Sequence, residues 1–256
     1  MNELEKIKHL EYYFPQIFAD TEQREFGVMF YNTDNFDSHD SNHAIILNHC
    51  NYEQAVSEIT EFYLSKQLNP RIYSSLEENQ LDKLRTILER HKFQIDDYGY
   101  TDYLVWNGKS TIAEPYTLEF RRFTADDDFN VFAQITGEES VERTQKVIRR
   151  RVLCSDYYLY IGYANGIPVI MSSFQFDENM TARLDEVETA QAYQGKGYAR
   201  QMTRHLTEVF ETCGGKVFFT WAANDTAQRV YLNGGFEVKY KLPSWSAAIE
   251  KYRAEP

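Results

Sequence analysis

A glycine-bearing loop between a strand-like run and an amphipathic helix restricts the fold of the chain more than any other sequence feature. The strand-like run covers residues 182–189, and the loop contains Gly195 and Gly197. Apolar residues then recur every three or four positions up to Phe210, which is the spacing of one helical face. Glycine accepts the backbone angles of a tight turn, and the first amides of a helix have no partner inside it. The segment therefore predicts a strand–loop–helix unit that suits a pyrophosphate.

Strand and helix patterns alternate around this unit. Tyr157–Ala164 and Ile167–Phe176 are strand-like and are separated by Asn165-Gly166, a strong hairpin signal. Further strands are predicted at residues 116–124, 216–222 and 235–242, and helices at 126–136, 139–153 and 225–233. This alternation predicts a mixed α/β fold.

Residues 1–112 show a similar order. Strands are predicted at residues 26–32, 43–47, 71–73, 93–95 and 103–106, and helices at 52–67 and 76–91. Between Leu47 and Tyr52 there is no glycine, so this half is not expected to bind a pyrophosphate. Turn formers and Pro115 mark residues 107–115 as the boundary, which predicts one domain at 1–112 and a second at 113–256.

Composition excludes several protein classes. The chain has 256 residues, of which 43% are hydrophobic, and no apolar run approaches the ~18 residues that span a membrane. Its first residues are charged where a secretory signal would be apolar. Cys50, Cys154 and Cys213 are far apart in the sequence, which indicates a reduced cytoplasmic protein without a zinc site.

The net charge of −12 is concentrated in the first half of the chain. Residues 1–115 contain 10 Lys and Arg against 20 Asp and Glu, whereas residues 116–256 contain 17 against 19. An acidic surface repels nucleic acid phosphates, so no nucleic acid partner is expected. The same surface favours a cationic small molecule, or it serves only solubility.

Two motifs together identify a family resemblance. Residues 194–199 read Gln-Gly-Lys-Gly-Tyr-Ala, and residues 224–236 read Asn-Asp-Thr-Ala-Gln-Arg-Val-Tyr-Leu-Asn-Gly-Gly-Phe. The first resembles the Q/R-x-x-G-x-G/A loop of the GCN5-related N-acetyltransferases, the GNAT family. The second is similar to the N-x-x-A-x-x-x-Y-x-x-x-G-F helix of that family, with one extra glycine. The resemblance covers residues 116–242 and implies a mixed, splayed central sheet. The smaller N-terminal α/β domain resembles a degenerate GNAT domain in its order of strands and helices, and the alternative is an unrelated small α/β domain.

The resemblance also implies which residues bind acetyl-CoA, the acyl donor of the family. The amide of Val187 would meet the thioester carbonyl, as in an oxyanion hole. Thr189 and Asn224 would bond the pantetheine arm. The pyrophosphate would be held by the remaining loop residues, which are Gln194, Gly195, Lys196, Gly197, Tyr198 and Ala199.

Two catalytic residues are predicted. Tyr231 would donate a hydrogen bond to the departing thiolate; its alternative is a core tyrosine that packs under Phe236. Strand alternation places Asp185 on one face with Val187 and Thr189, which makes Asp185 the candidate general base. Water could also carry the proton without a base.

Other conspicuous residues have a structural interpretation and a functional one. The run Arg149, Arg150 and Arg151 could face the 3′-phosphate of CoA, although a solvated helix face is favoured. His43 is expected to be a buried structural histidine and His205 to lie at the surface. Trp221 could line the acceptor pocket.

The predicted function is therefore acyl-CoA-dependent N-acyl transfer. The reaction expected from the resemblance is direct attack of a primary amine on acetyl-CoA through a tetrahedral intermediate, without a metal. The acceptor class stays open between a small molecule and a peptide amine, with a cationic amine favoured by the charge. The alternative is a binding module that senses acyl-CoA without turnover. Neither the acceptor nor the oligomeric state is fixed by the sequence.

Overall fold

The computed structural model describes residues 1–48, 50–110, 115–137 and 142–252. The helices of this part of the chain are α1 (Glu3–Tyr13), α2 (Tyr52–Ser65), α3 (Gln80–Arg90), α4 (Asn130–Thr136), α5 (Glu142–Val152), α6 (Tyr198–Thr212) and α7 (Asp225–Asn233). Short 3₁₀ helices occupy Phe14–Ile17, Thr33–Asn35 and Gln191–Tyr193. The strands are β1 (Asp20–Arg24), β2 (Gly27–Tyr31), β3 (His43–Ile46), β4 (Arg71–Tyr73), β5 (Gln94–Trp106), β6 (Glu119–Arg122), β7 (Tyr157–Ala164), β8 (Ile167–Phe176), β9 (Thr181–Thr189), β10 (Val217–Trp221) and β11 (Phe236–Ala248).

The chain forms two compact units, each built from two chain segments. Unit 1 combines residues 1–11 with 102–240, and unit 2 combines residues 12–101 with 241–256. The passages between the units fall inside β5 and β11. The sequence places a single boundary at 112/113, in residues 111–114, which lie outside the described residues. A single linear cut does not describe the units, because a continuous strand carries no turn signal at the point where it leaves one unit.

Unit 1 contains a mixed sheet in the order β5-β10-β9-β8-β7-β6. The pairs β5–β10, β9–β8, β8–β7 and β7–β6 are antiparallel, whereas β9 and β10 run parallel. That parallel ladder joins residues 181–183 to 217–219 and does not continue toward Thr189. The hydroxyl of Thr220 instead donates to the carbonyl of Leu184 at 3.0 Å. The sheet therefore splays between β9 and β10, which confirms the expected fold class.

An irregularity in β9 changes the direction of its side chains. Asp185 pairs with Ser173 and Glu188 pairs with Met171, so β9 has one more residue than β8 over this interval. Glu186 has φ 55°, in the left-handed region that side chains other than glycine seldom adopt. These are the marks of a β-bulge, which bends a strand and redirects a side chain.

The helix α1 was not predicted from the sequence, and it belongs to unit 1. Ile7 and Leu10 are its buried residues, which is a short apolar stripe among charged positions. Glu3 pairs with Lys239, and Glu11 lies 3.5 Å from Arg183. A helix with so little apolar surface is stabilised by the unit it packs on rather than by its own pattern.

Unit 2 has its own sheet and core. Strands β1 to β4 follow in order, and residues 246–248 of β11 pair antiparallel with β4. The parallel pair is β3 with β4. Its core includes Ile59, Tyr63, Ile72 and Leu84. Alternating helices and strands are thus confirmed here, although the predicted strands 93–95 and 103–106 are parts of one strand, β5.

No helix among the described residues is long and apolar enough to cross a membrane. The predicted hairpin is confirmed, since β7 and β8 have the predicted bounds. The helix predicted at 139–153 is observed as α5, and the positions 139–141 lie outside the described residues.

Candidate active site

A cleft of about 750 Å³ opens in unit 1 where β9 and β10 separate. Its walls come from the end of β9, the loop before α6, the first turn of α6, and α7. The residues that line it are Val187, Thr189, Tyr193, Gln194, Gly195, Gly197, Tyr198, Ala199, Arg200, Asn224, Thr226, Ala227, Val230 and Tyr231. Two sequence motifs that lie about thirty residues apart are therefore brought to one cavity.

The loop before α6 presents backbone donors that make no hydrogen bond within the described residues. Gly195 and Gly197 have φ of 75° and 78°, and α6 begins at Tyr198 without a side-chain cap. Within the described part of the chain, the amides from Gly195 to Arg200 donate no hydrogen bond. Such amides at a helix N-terminus carry partial positive charge and suit an anion. The loop therefore presents a row of donors of the kind that suits a phosphate group.

The polar side chains of this loop differ in whether they face the cleft. The Gln194 amide donates to the Thr189 carbonyl at 3.2 Å, which ties the loop to the end of β9. The Lys196 ammonium lies 4.6 Å from the centre of the Tyr193 ring, and Lys196 does not line the cleft. Arg200 does line the cleft and forms no ion pair among the described residues. A guanidinium in this position is available for a phosphate.

The bulge in β9 separates residues that were predicted to share a face. Arg183, Asp185 and Glu188 pair with Gln175, Ser173 and Met171, which alternate along β8. Thr189 pairs with Ile170 and so lies on the opposite face from Asp185. The predicted common face of Asp185, Val187 and Thr189 is therefore wrong, because the extra residue at the bulge reverses the alternation.

Asp185 lies near the cleft rather than in its wall. Its carboxylate is 3.6 Å from the Arg183 guanidinium, and its side chain is 35% exposed. Arg183 is buried, contacts Glu11, and lies 5.4 Å from the centre of the Trp221 ring. Asp185 is also one of the charges that raise the pKa of Tyr231. This proximity brings the candidate base toward the tyrosine, on the other side of β9 from Thr189.

Tyr231 is buried in α7 and lines the cleft. Burial and then the charge of Asp185 raise the pKa of its hydroxyl to about 12, although a contact with Thr220 opposes the shift. The tyrosine therefore stays protonated at neutral pH and is a donor. Its ring lies 6.0 Å from that of Phe236, so Tyr231 packs under Phe236 and also reaches the cleft.

Asn224 begins α7 as its N-cap. Its side-chain oxygen accepts from the amides of Thr226 and Ala227, each at 3.0 Å. The side-chain nitrogen has no hydrogen-bond partner among the described residues. One end of the amide thus stabilises the helix, and the other is a donor at the cleft wall.

The comparisons with known proteins agree with this geometry. The sequence profile of the acetyltransferase (GNAT) domain matches residues 129–244. This segment, slightly less than half of the chain, is therefore similar to the GNAT domain. The matched segment contains the cleft, its loop and Tyr231.

Solved GNAT structures share the fold at low sequence identity. A GCN5-related N-acetyltransferase from Kribbella flavida is 14% identical with a TM-score of 0.68, over 96% of this chain and 95% of that one. A GNAT-like protein from Streptococcus suis is 10% identical with a TM-score of 0.58, over 96% and 100%. A GNAT from Sphaerobacter thermophilus is 13% identical with a TM-score of 0.57, over 90% and 76%. No curated protein matches the sequence.

Several residues that line the cleft were not predicted from the sequence. These residues are Tyr193, Arg200, Thr226, Ala227 and Val230. Arg200 follows the glycine motif directly, so its place in the first turn of α6 was the available signal. The others fill the cleft wall through the spacing of the two elements, which no motif in the sequence specifies.

Two other conspicuous residues of unit 1, Arg151 and His205, differ from the sequence interpretation. Arg151 is buried and pairs with Glu186, so the arginine run is not simply solvated. His205 is half-buried rather than at the surface, and its ring stacks on Phe120 at 4.4 Å. Trp221 is 39% exposed. In unit 2, His43 is buried as expected, and it stacks on Tyr73.

One group of potential metal ligands occurs among the described residues. His9, Asp177 and Glu178 bring ligand atoms within 4.8 Å of one another. None of the three lines the cleft. The proposed chemistry at the cleft uses no residue of this group.

Proposed function

We propose that this protein transfers the acetyl group of acetyl-CoA to a primary amine. The observation that carries the proposal is the cleft itself, which joins a row of backbone amides that donate no hydrogen bond within the described residues to a buried, protonated tyrosine. Anchoring a nucleotide phosphate and donating to a leaving thiolate are two of the requirements that such a transfer places on the protein. The similarity of residues 129–244 to the GNAT domain supports the same reaction class.

The phosphate end of the site is the loop before α6. Gly197 has φ 78°, which favours glycine, and a Cβ there would lie 3.3 Å from the Arg200 guanidinium, so a side chain would be strained and would displace Arg200 slightly. Amides from Gly195 to Ala199 would hold the pyrophosphate, and Arg200 would add a full positive charge. Gln194 keeps the loop against β9.

The thioester end is the bulged strand. The amide of Val187 would donate to the thioester carbonyl and stabilise the negative charge that develops there during attack. Thr189 and the side-chain nitrogen of Asn224 would bond the pantetheine arm. All three residues line the cleft.

Tyr231 would act on the leaving thiolate through a hydrogen bond. With a tyrosine pKa of about 12 and a thiol pKa of ~8.5, complete proton transfer would cost about 5 kcal/mol. A hydrogen bond that strengthens as the thiolate forms avoids this cost, because the proton stays on the tyrosine. The raised pKa therefore favours donation over transfer.

Asp185 is the proposed base for the acceptor amine. An alkyl amine with a pKa of ~10 arrives as an ammonium ion and must lose a proton before it attacks. The Asp185 carboxylate is partly exposed and lies on the side of β9 opposite Thr189. It could attract the cationic form and accept the proton directly or through water.

The proposal is tested by measuring CoA release with a panel of polyamines, aminoglycosides, amino acids and peptides. Turnover with at least one primary amine, with the product identified by mass, supports the proposal. Binding of acetyl-CoA in calorimetry without turnover across the panel would favour the sensor alternative. Absence of binding would refute both.

A further inference from the structure

The carboxylate of Glu186 is held by three donors from three different elements. Arg151 of α5 forms an ion pair with it. The hydroxyl of Tyr157 in β7 donates at 3.1 Å, and that of Ser173 in β8 donates at 3.4 Å. None of these residues lines the cleft, yet all of them converge on the bulge of the strand that does. We call Arg151, Tyr157 and Ser173 the bulge clamp.

The bulge clamp is buried and keeps its charges and protons. Arg151, Tyr157 and Ser173 are 6%, 5% and 0% exposed. Burial alone would lower the pKa of Arg151, but the Glu186 carboxylate raises it above its ordinary value. Burial and the same carboxylate raise the pKa of Tyr157. The clamp therefore consists of an arginine that stays charged and a tyrosine that stays protonated, and both remain donors.

Glu186 needs such a clamp because its backbone is left-handed. A residue with a side chain is disfavoured at φ 55° and holds that conformation where its surroundings impose it. The angles of Glu186 set the orientation of the peptide that follows, and the N–H of that peptide belongs to Val187. Neither Glu186 nor Val187 has a partner in register on β8.

We infer that the bulge clamp is a positioning device that aims the Val187 amide into the cleft. Arg151, Tyr157 and Ser173 fix the Glu186 carboxylate, the carboxylate fixes the left-handed turn, and the turn directs the N–H toward the thioester carbonyl. The inference deepens the proposed function and rests on it, because the carbonyl is that of acetyl-CoA. It assigns Glu186 a positioning role rather than a role in proton transfer.

The decisive comparison is between Glu186→Ala and Glu186→Gly. Both variants lose the carboxylate and with it the ion pair to Arg151, but glycine adopts the left-handed conformation without strain. If the clamp acts through the backbone, Glu186→Ala should lower kcat by about 10- to 100-fold, since a misaimed oxyanion donor is costly. Glu186→Gly should recover to within about threefold of the wild type. The acetyl-CoA Kd should change little in either variant.

Infrared spectroscopy can detect the hydrogen bond from the Val187 amide to the thioester carbonyl without turnover. The infrared stretch of the carbonyl of ¹³C-labelled acetyl-CoA moves to lower frequency when the oxygen accepts a hydrogen bond. The wild type and Glu186→Gly should show this shift in the binary complex, and Glu186→Ala should lose most of it. Tyr157→Phe, which removes one donor, should show a smaller loss. Glu188→Ala, at an exposed position of the same strand, is the matched control and should behave as the wild type.

Three outcomes would overturn the inference. One is an unshifted carbonyl in the wild type, and another is equal activity in Glu186→Ala and the wild type. The third is equal loss in the alanine and glycine variants together with a changed pH profile, which would indicate that the carboxylate moves protons. If the single variants do not fold, Arg151→Met combined with each of them removes both charges and preserves the comparison. A shifted carbonyl in a wild type without turnover would support the clamp and refute the proposed transfer.

Discussion

The two units contain the same local arrangement, a strand, a helix and a second strand parallel to the first, and differ at the start of the helix. In unit 1 these elements are β9, α6 and β10, and in unit 2 they are β3, α2 and β4. The helix α6 follows Gly197 and has no side-chain cap. The helix α2 begins at Tyr52 and is capped by Asn51, whose side chain accepts from the amide of Gln54 at 3.2 Å.

This difference shows how one arrangement serves binding or stability. A capped helix start satisfies its own donors and offers less to a ligand. An uncapped start behind a left-handed glycine leaves its amides open. We therefore retain the proposal that residues 1–112, of which 12–101 belong to unit 2, form a degenerate GNAT-like domain that does not bind CoA. Within its segment 47–51, His49 lies outside the described residues.

The largest effect is expected from Gly197→Val, which should make the backbone amides at the start of α6 inaccessible to a phosphate. A β-branched residue is strained at φ 78°, and its Cβ would lie 3.3 Å from the Arg200 guanidinium. Acetyl-CoA affinity should fall by about 100-fold or more, because the loop must move into the phosphate space. Calorimetry with acetyl-CoA measures this.

Gly214→Val is the matched control, since Gly214 follows the other end of α6. Its φ is 77° and a Cβ there would meet no atom within 4 Å. This variant should be destabilised by backbone strain to a similar degree and still bind acetyl-CoA. Equal loss of binding in both variants would show that strain, rather than the phosphate loop, explains the result.

A second comparison uses two buried tyrosines with different surroundings. Tyr231 in unit 1 lines the cleft, whereas the hydroxyl of Tyr63 in unit 2 donates to the Phe30 carbonyl at 2.8 Å. Tyr231→Phe should lower kcat by about 10- to 100-fold with little change in acetyl-CoA Kd, because its hydroxyl acts as the thiolate forms. Tyr63→Phe should leave kcat unchanged and lower the free energy of unfolding by about 1 kcal/mol. Unchanged kcat in Tyr231→Phe would make Tyr231 a packing residue.

A third comparison concerns the two asparagine caps. Asn51→Ala and Asn224→Ala should each lower the free energy of unfolding by about 1 kcal/mol, since each removes a cap. Only Asn224→Ala should also weaken acetyl-CoA binding, because the nitrogen of Asn224 is a donor at the cleft wall. Denaturant unfolding and calorimetry separate the two effects. Equal acetyl-CoA affinity in both variants would assign Asn224 a capping role alone.

Much of the site was predictable because backbone requirements leave marks in sequence. Gly195 and Gly197 indicate positions with left-handed backbone angles, and Asn224 indicates the start of α7. The hairpin at Asn165-Gly166 and the helix Asp225–Asn233 were predicted with the observed bounds. These features depend on short segments, in which each residue type has a local physical reason.

The features that escaped prediction depend on tertiary structure. The bulge at Glu186 contains no glycine that would indicate it in the sequence. Its left-handed conformation is associated with donors that are distant in the sequence, such as Arg151. Arg151 resembles its solvated neighbours in sequence and differs only in what it meets after folding. The division of the chain within β5 and β11 leaves no turn or linker to detect. Strand alternation therefore wrongly predicted that Asp185 shares a face with Thr189, and the charge pattern of residues 149–151 wrongly predicted that Arg151 is solvated.

The smallest expected effect is on the pH dependence of stability, where each unit contributes one histidine. Burial lowers the pKa of His205 in unit 1, partly offset by Glu208; burial and then Arg71 lower that of His39 in unit 2. Well above the ordinary histidine pKa of about 6.5, both histidines are neutral in the folded and unfolded chain and leave stability unchanged. As pH falls below that value, the unfolded chain takes up protons that the folded chain resists, so stability declines until the pH passes the lower folded pKa.

His205→Phe should preserve the stacking on Phe120 and remove one of the two titratable imidazoles. Its free energy of unfolding should fall less steeply between a pH of about 6.5 and 5 than that of the wild type, and match its slope above that range. His39→Gln should flatten the same limb by its own share, and the double variant should flatten it further. Urea titrations at several pH values measure the slopes. An unchanged slope in His205→Phe would mean that the aromatic contacts of His205 do not resist protonation, so that the acid sensitivity of the protein arises elsewhere.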